Sequence, residues 1–299
     1  MANIFSGIVD KIKEKGREAP EGEMSFFQHL EALRWHVIRA ALAVLVFAIV
    51  AFIYYKSFFS GVIMAPTRID FWTYRMMCNM GYSLHNLIPS FFDADGFCVK
   101  KISFTLINTE IAGQFNLQLN GSIMIGLIAG IPYLLFEIWR FIRPALHERE
   151  RKAASGFVFY TSFLFFIGVL FGYYVVTPLS IRFLVNYTVS DNIVNYFSID
   201  SYMSSVTMLT LLAGIVFQLP IVVYILASLG ILTPKFMREK RRYAIIIILI
   251  IAAIITPSPD ALTMGVVAMP LFVLYELSIY VAAMVQRRRK KRELEEGLN

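Results

Sequence analysis

Long apolar runs alternate with polar and charged segments along the whole chain. The runs lie at about residues 37–55, 122–139, 156–176, 205–229, 243–256 and 262–285. Several of them approach the ~20 residues that a helix needs to cross the hydrocarbon core of a bilayer. The pattern predicts an all-α, polytopic membrane protein with six transmembrane helices.

The run at 243–256 is the shortest, and its length is more typical of a re-entrant or buried segment. If it did not cross while the next run did, the basic tail at 286–299 would lie opposite the basic segment before Tyr243, against the positive-inside rule. We therefore predict a short but complete crossing. It ends at a turn containing Pro257 and Pro259, where proline prevents continued helix.

Lys and Arg residues accumulate in every second segment between the apolar runs. Most of the 28 lie within residues 1–36, 140–152, 235–242 and 287–292. The positive-inside rule places these segments, and with them both termini, in the cytoplasm. Basic residues at membrane ends favour anionic lipid, so we expect membrane lipid and no nucleic acid as a partner.

The composition, 58% hydrophobic and 16% charged, excludes an ordinary soluble domain. We expect a six-span membrane domain at residues 37–285, including a first external loop at 56–121. A cytoplasmic segment at 1–36 precedes it, either as an interfacial helix or as a frayed tail, and a basic tail at 286–299 follows it. The first run lacks a small-residue cleavage pattern, so we expect it to remain as an anchor.

Both cysteines, Cys78 and Cys98, lie in the first external loop. In an oxidising compartment this placement favours a disulfide, which would stabilise the loop by about 3 kcal/mol. Metal binding has less support, because no CxxC pattern or histidine partner accompanies the two residues.

The usual catalytic motifs are absent from the sequence. There is no GxxxxGK[ST], HExxH or GxSxG pattern, so we expect neither an enzyme nor a cofactor. Glu137, Gln218 and Glu276 remain as polar residues at membrane depth, where burial in lipid is costly and function is the usual reason. Glu276 equally fits a structural residue bonded to a neighbouring helix.

A secondary transporter of a small solute or ion is the alternative function, with Gln218 and Glu276 forming a midplane site. Such a protein would need convergent polar residues on broken helices and preferably an internal repeat. The sequence displays neither feature, which leaves this alternative the weaker one.

Two cytoplasmic motifs point to one family. Residues His29 to Arg34 match HLxELR except at Ala32, and Phe141 to Lys152 match FxxPxLxxxE[RK][RK]. An F[EQ]xP pattern at Phe217 to Pro220 and a TPxPD turn that ends at Asp260 follow in order. With these motifs the chain resembles the TatC family, the multispanning core of the twin-arginine protein translocase, over roughly residues 25 to 285.

The resemblance implies a concave, cup-like arrangement of six helices in the bacterial inner membrane. It implies binding of the twin-arginine signal peptides of folded substrates, export driven by the proton gradient, and assembly with TatA-type and TatB-type single-span subunits and with further copies of the chain. Because a carboxylate accepts two parallel bonds from a guanidinium, paired arginines require acidic groups on the cytoplasmic face.

The resemblance also implies two groups of functional residues. Those expected to bind the signal are Glu31, Arg34, Phe141, Glu150, Arg151 and Lys152. Those expected to be polar contacts for partner helices, or to support such contacts, are Glu137, Gln218, Asp260 and Glu276. From the pattern alone, the alternating charges around Glu150 are typical of a solvated face.

The family's glutamate in HLxELR falls at Ala32 here, and Glu31 lies beside it. Adjacent helical residues point about 100° apart, so Glu31 does not replace the missing group automatically. Either the start of the helix is turned or frayed enough to present Glu31, or Glu150 contributes more of the recognition.

Overall fold

The structure, a computed structural model, describes residues 26–87, 98, 105–142, 156–190, 195–256 and 261–297. Its α-helices are α1 (Phe26–Ile53), α2 (Tyr55–Phe58), α3 (Trp72–Leu87), α4 (Gly113–Ile142), α5 (Phe157–Phe171), α6 (Thr177–Asn186), α7 (Ile199–Val216), α8 (Leu219–Ser228), α9 (Pro234–Glu239), α10 (Arg241–Ile255) and α11 (Ala261–Glu296). π-helical turns at Phe59–Ile63 and Gly172–Val176 and a 3-10 turn at Ala65–Thr67 complete the helical segments. Two short strands, β1 (Leu106–Ile107) and β2 (Phe197–Ser198), pair in parallel.

Five helical segments of the described chain are long and apolar enough to cross a membrane: Leu33–Ile53, Gly113–Ile142, Phe157–Asn186, Ile199–Ser228 and Thr263–Lys291. They coincide with five of the predicted runs, so the mostly helical, multi-span class is confirmed. The predicted fifth run forms α10, whose 15 residues span about 22 Å, less than the ~30 Å hydrocarbon core. The sixth crossing therefore stays a prediction.

Proline positions explain where the observed helices differ from the predicted runs. The third span does not stop before Pro178 but continues to Asn186, because the π-helical turn at Gly172–Val176 just before it accommodates a residue without an N–H. The carbonyl of Tyr174, four residues before Pro178, accepts from the hydroxyl of Thr73. At Pro220 the fourth run is broken, since α7 ends at Val216 and Pro220 lies in the first turn of α8.

The tail at 286–299, predicted as a separate segment, begins as part of a longer helix. α11 runs for 36 residues from Ala261 to Glu296 and so includes the basic cluster at 287–292. Lys, Arg and Glu favour helix on an exposed surface, which explains why the helix does not end with the apolar run.

The described residues between α1 and α4 pack against the ends of the later helices. The hydroxyl of Tyr202 donates to the carbonyl of Ile63 at 2.6 Å, and that of Tyr74 donates to Pro66 at 3.0 Å. Burial raises the pKa of Tyr74 above its usual value. β1 pairs with β2, with Leu106 opposite Phe197, so the first and second external segments meet on the same side of the molecule.

α1 and α4 pack in close antiparallel contact through small residues. A Cβ atom on Gly126 would lie 2.5 Å from the backbone nitrogen of Ala48, and one on Gly130 would lie 2.9 Å from Cγ2 of Val44. Small residues permit this approach of two helix backbones within a membrane. The contact fixes how α1 is rotated against α4.

At the inner end of the later helices, Met237 of α9 packs with Ala227 of α8 and Ile279 of α11. The hydroxyl of Tyr275 donates to the carbonyl of Met237 at 2.8 Å. These contacts hold the basic segment between α8 and α10 against α11.

Candidate functional site

The two predicted site residues on α1, Glu31 and Arg34, both have exposed side chains. α1 is already helical at Phe26, more than one turn before Glu31. Fraying of the helix start therefore does not explain how Glu31 could serve in place of a carboxylate at Ala32. Glu31 points about 100° away from that position.

A contact between His36 and the buried Glu137 joins α1 to α4 at the same end of the helix pair. Nδ1 of His36 contacts Oε2 of Glu137, whose side chain is only 2% exposed. Along the antiparallel helices, this contact follows the Ala48–Gly126 and Val44–Gly130 contacts in order. A carboxylate removed from water needs such a partner, because an unpaired buried charge costs several kcal/mol.

Phe141 lies one turn after Glu137 on α4 and is half-buried. Its ring centroid is 6.0 Å from that of His36, with the two planes 69° apart. This is the edge-to-face arrangement that aromatic rings prefer. The structure thus brings Phe141 to the first turns of α1, which carry Glu31 and Arg34.

Four predicted site residues lie outside the described residues: Glu150, Arg151, Lys152 and Asp260. The first three follow Phe141 in the segment that leaves α4, and their roles stay predictions.

Gln218 and Glu276 bond different neighbours. Nε2 of Gln218 donates to the carbonyl of Thr161 on α5 at 3.2 Å, whereas Oε2 of Glu276 accepts from Arg241 on α10 at 2.7 Å. Glu276 is therefore bonded to a neighbouring helix, which is one of its two expected roles. In the described part of the chain the two residues do not converge on one site, as a midplane transporter site would require.

Cys78 of α3 and Cys98 are joined by a disulfide, with their Cα atoms 4.3 Å apart. The bond ties α3 to Cys98, 20 positions later along the chain.

Sequence reasoning missed His36. A single histidine at the edge of an apolar run is not distinguished by its spacing, and its partner Glu137 is 101 positions away along the chain. The available sign was the pairing of two ionisable residues at corresponding depths, His36 just before the first run and Glu137 just before the end of the second.

The comparison with protein families adds the deciding observation. The family model described as "Sec-independent protein translocase protein (TatC)" matches residues 28–270. The chain belongs to the TatC family. The matched range contains every predicted site residue except Glu276.

Individual TatC proteins match over most of their length. TatC of Blattabacterium sp. subsp. Periplaneta americana (strain BPLAN) is 33% identical over 269 residues, covering 90% of this chain and 98% of that protein. TatCy of Bacillus subtilis (strain 168) is 34% identical over 212 residues, covering 67% of this chain and 83% of that protein.

Two crystal structures of the twin-arginine translocase receptor TatC share the fold. One aligns with a TM-score of 0.59 at 29% identity, covering 86% of this chain and 99% of that chain. The other, in DDM, aligns with a TM-score of 0.61 at 30% identity, covering 85% of this chain and 99% of that chain.

The resemblance to the TatC family that the motifs predict is thus confirmed. This TatC-family chain is a multi-pass membrane protein of a bacterial Sec-independent protein translocase. Its relatives are named as translocase components, so the family role is transport and not catalysis.

Proposed function

We propose that this chain is the signal-peptide receptor and core component of the twin-arginine translocase. It binds the twin-arginine signals of folded proteins at the cytoplasmic face and exports those proteins with the energy of the proton gradient. It lies in the bacterial inner membrane with six crossings arranged as a concave cup, and both termini are cytoplasmic.

The observation that carries this proposal is the meeting of α1 and α4 at one end of their antiparallel pair. The His36–Glu137 pair and the His36–Phe141 ring contact bring the last turn of α4 beside the first turns of α1. Exposed Glu31 and Arg34 are on one helix, and the segment that leads to Glu150 leaves the other. A signal peptide could contact both helices at once there.

The chemistry of the ligand matches acidic groups at this end. A guanidinium presents a planar fork of N–H donors that a carboxylate accepts in two parallel bonds, and an ammonium group cannot reproduce this geometry. Glu150 is the principal acceptor, because the family glutamate is replaced by Ala32. Phe141 packs against the apolar part of the signal, and Arg151 and Lys152 shape the loop.

Support for the topology comes from both ends of the helices. The β1–β2 pair and the Tyr202–Ile63 hydrogen bond join the first and second external segments on one side. The segments rich in Lys and Arg alternate with these along the chain, and the positive-inside rule assigns them to the cytoplasm. A crossing by α10 then returns α11 and its basic end to the cytoplasmic side.

TatA-type and TatB-type subunits bind the membrane-facing wall, and copies of the chain associate within the complex. Nε2 of Gln218 is bonded to Thr161, and its buried Oε1 accepts no hydrogen bond from the described residues, so a partner helix that opens this packing would find an acceptor there. Because Gln218 cannot ionise, this contact is a hydrogen bond and not an ion pair. Asp260, in the TPxPD turn, supports the same membrane-facing wall. Glu137 contributes at the other end of the site, where the signal peptide binds.

Substitution of Glu150 tests the proposed recognition. Glu150→Ala should weaken binding of a twin-arginine signal by about 2–5 kcal/mol, the range for removing one partner of a desolvated charge pair. Glu148→Ala, in the same loop, is the matched control and should change binding by less than about 0.5 kcal/mol. The measurement is the affinity of the purified protein for a labelled signal peptide, together with crosslinking of that signal in membranes.

Equal loss in both variants would mean that the loop contributes only general negative charge. Comparable binding by Glu150→Ala and the unsubstituted protein would reject Glu150 as the acceptor.

A further inference from the structure

We infer that His36 is a positioning residue for signal binding: Glu137 orients the imidazole, and the edge of that ring holds Phe141 where it meets the signal peptide. The inference rests on the proposed function, because it concerns how the same site is prepared for its ligand. It adds a residue that lies outside the sequence motifs and whose contacts are seen in the packing of two helices.

The geometry leaves His36 in contact with both residues at once. Its Nδ1 pairs with Oε2 of Glu137, and its ring lies 6.0 Å from the ring of Phe141 at an interplanar angle of 69°. The three side chains form a chain of contacts from a buried carboxylate to the half-buried aromatic residue at the end of α4.

The neighbouring packing explains why this contact can set the position of Phe141. The Ala48–Gly126 and Val44–Gly130 contacts fix α1 against α4, so the His36 backbone has a defined place relative to Glu137. Phe141, by contrast, belongs to the last turn of its helix, and Ile142 is its last residue. Helix ends fray, so a side chain there gains most from a lateral contact.

A purely structural ion pair would also join the helices, and the two roles make opposite predictions. If the pair serves only to link α1 and α4, the charged contact matters and the imidazole ring does not. If His36 positions Phe141, the ring matters, and an apolar replacement of the ion pair that keeps a ring should still support binding. Replacing a buried ion pair by apolar residues of similar size is often neutral for stability.

Two variants separate these roles. His36→Asn keeps an N–H donor close to the place of Nδ1 and removes the ring edge. The double variant His36→Phe with Glu137→Leu keeps a ring at position 36 and removes both ionisable groups. Phe141→Leu removes the other ring of the contact, and His85→Asn on α3 is the matched histidine control in the first external loop.

The experiment measures the affinity of the full-length protein in detergent for a labelled twin-arginine signal peptide, with thermal unfolding of each variant alongside. We expect His36→Asn to weaken binding about three- to tenfold, the range for an aromatic pair. Phe141→Leu should weaken it similarly, and the combination of His36→Asn with Phe141→Leu should show no further loss. His85→Asn should bind within about twofold of the unsubstituted protein. The His36→Phe, Glu137→Leu variant, which loses the carboxylate but keeps a ring beside Phe141, should lose less affinity than His36→Asn.

Retained affinity in His36→Asn overturns the inference, as does additive loss when it is combined with Phe141→Leu. Should His36→Asn fail to fold, the apolar double variant decides alone, and a loss equal to that of Phe141→Leu overturns the inference. A twin-lysine peptide measured on the unsubstituted protein separates this outcome from failure of the proposed function. If it binds as tightly as the twin-arginine peptide, the arginine recognition is wrong, whereas the variants still decide the role of His36.

Discussion

Glu137 illustrates, at the scale of a single residue, how a charged group is accommodated inside a predicted membrane span. Its side chain is 2% exposed, and its partner on the neighbouring helix is a histidine. Intramembrane ionisable residues are costly, so they are retained where they pair and where the pair serves a purpose. Here the pair lies at the end of the helices where signal recognition is proposed.

The sequence revealed one member of this pair and not the other. Glu137 stands out because a carboxylate in an apolar run is rare. His36 does not, because its role depends on a partner and on a ring that both lie on another helix. Glu31 and Arg34 were found through motif matching, and their exposure agrees with a contact surface.

One prediction at the scale of single residues concerns the disulfide between Cys78 and Cys98. In the purified protein, Cys78 and Cys98 should resist alkylation under denaturing conditions until a reductant is added, after which both should be labelled. Replacing both by serine should destabilise the external loop by about 3 kcal/mol, because the closed loop restricts the unfolded chain. Equal labelling before and after reduction, measured by mass spectrometry, would show that the thiols are free.

At the scale of elements, helix existence followed from the apolar runs, but helix ends did not. The third span extends past Pro178 because the π-helical turn before it accommodates a proline. At Pro220, by contrast, α7 has ended and α8 begins just before the proline, in whose position no helical N–H bond is lost. A run of apolar residues shows where a helix is buried, whereas its ends depend on local backbone geometry.

The close contact of α1 with α4 leads to a prediction about Gly126. Gly126→Ala should destabilise the protein by about 1–3 kcal/mol, because the new Cβ would meet the backbone of Ala48 at 2.5 Å. Gly265→Ala on α11 is the matched control, since no atom lies within 4 Å of its added Cβ. It should be neutral or slightly stabilising through helix propensity.

The unfolding temperature of each glycine variant is measured in detergent by following the loss of monodisperse protein on heating. Equal unfolding temperatures for Gly126→Ala and Gly265→Ala would contradict the close α1–α4 packing.

At the scale of the whole molecule, the short helix α10 decides the topology. Its 15 residues cover less than the usual hydrocarbon thickness, so a crossing there requires a thinner bilayer beside it. Many of its isoleucines are exposed, including Ile246, Ile247 and Ile250, as suits a surface facing lipid or a partner helix. The alternation of Lys- and Arg-rich segments along the chain predicts that α10 crosses the membrane. The packing of the described residues gives no second argument for or against this crossing.

Cysteine accessibility tests this crossing. In a variant with Cys78 and Cys98 replaced by serine, Ser258→Cys should react with a membrane-impermeant maleimide on intact spheroplasts. Lys235→Cys should react only after the membrane is permeabilised, because it belongs to the basic segment assigned to the cytoplasm. Labelling of both positions from the same side would show that α10 does not cross.

The central claim is that acidic side chains at the cytoplasmic face recognise a pair of guanidinium groups. The most direct measurement titrates the purified protein with two signal peptides that differ only in having arginine or lysine at both positions of the pair. We expect the lysine peptide to bind at least tenfold more weakly, about 1.4 kcal/mol, because it cannot form the parallel bonds of a guanidinium with a carboxylate. Equal dissociation constants for the two peptides would contradict the account.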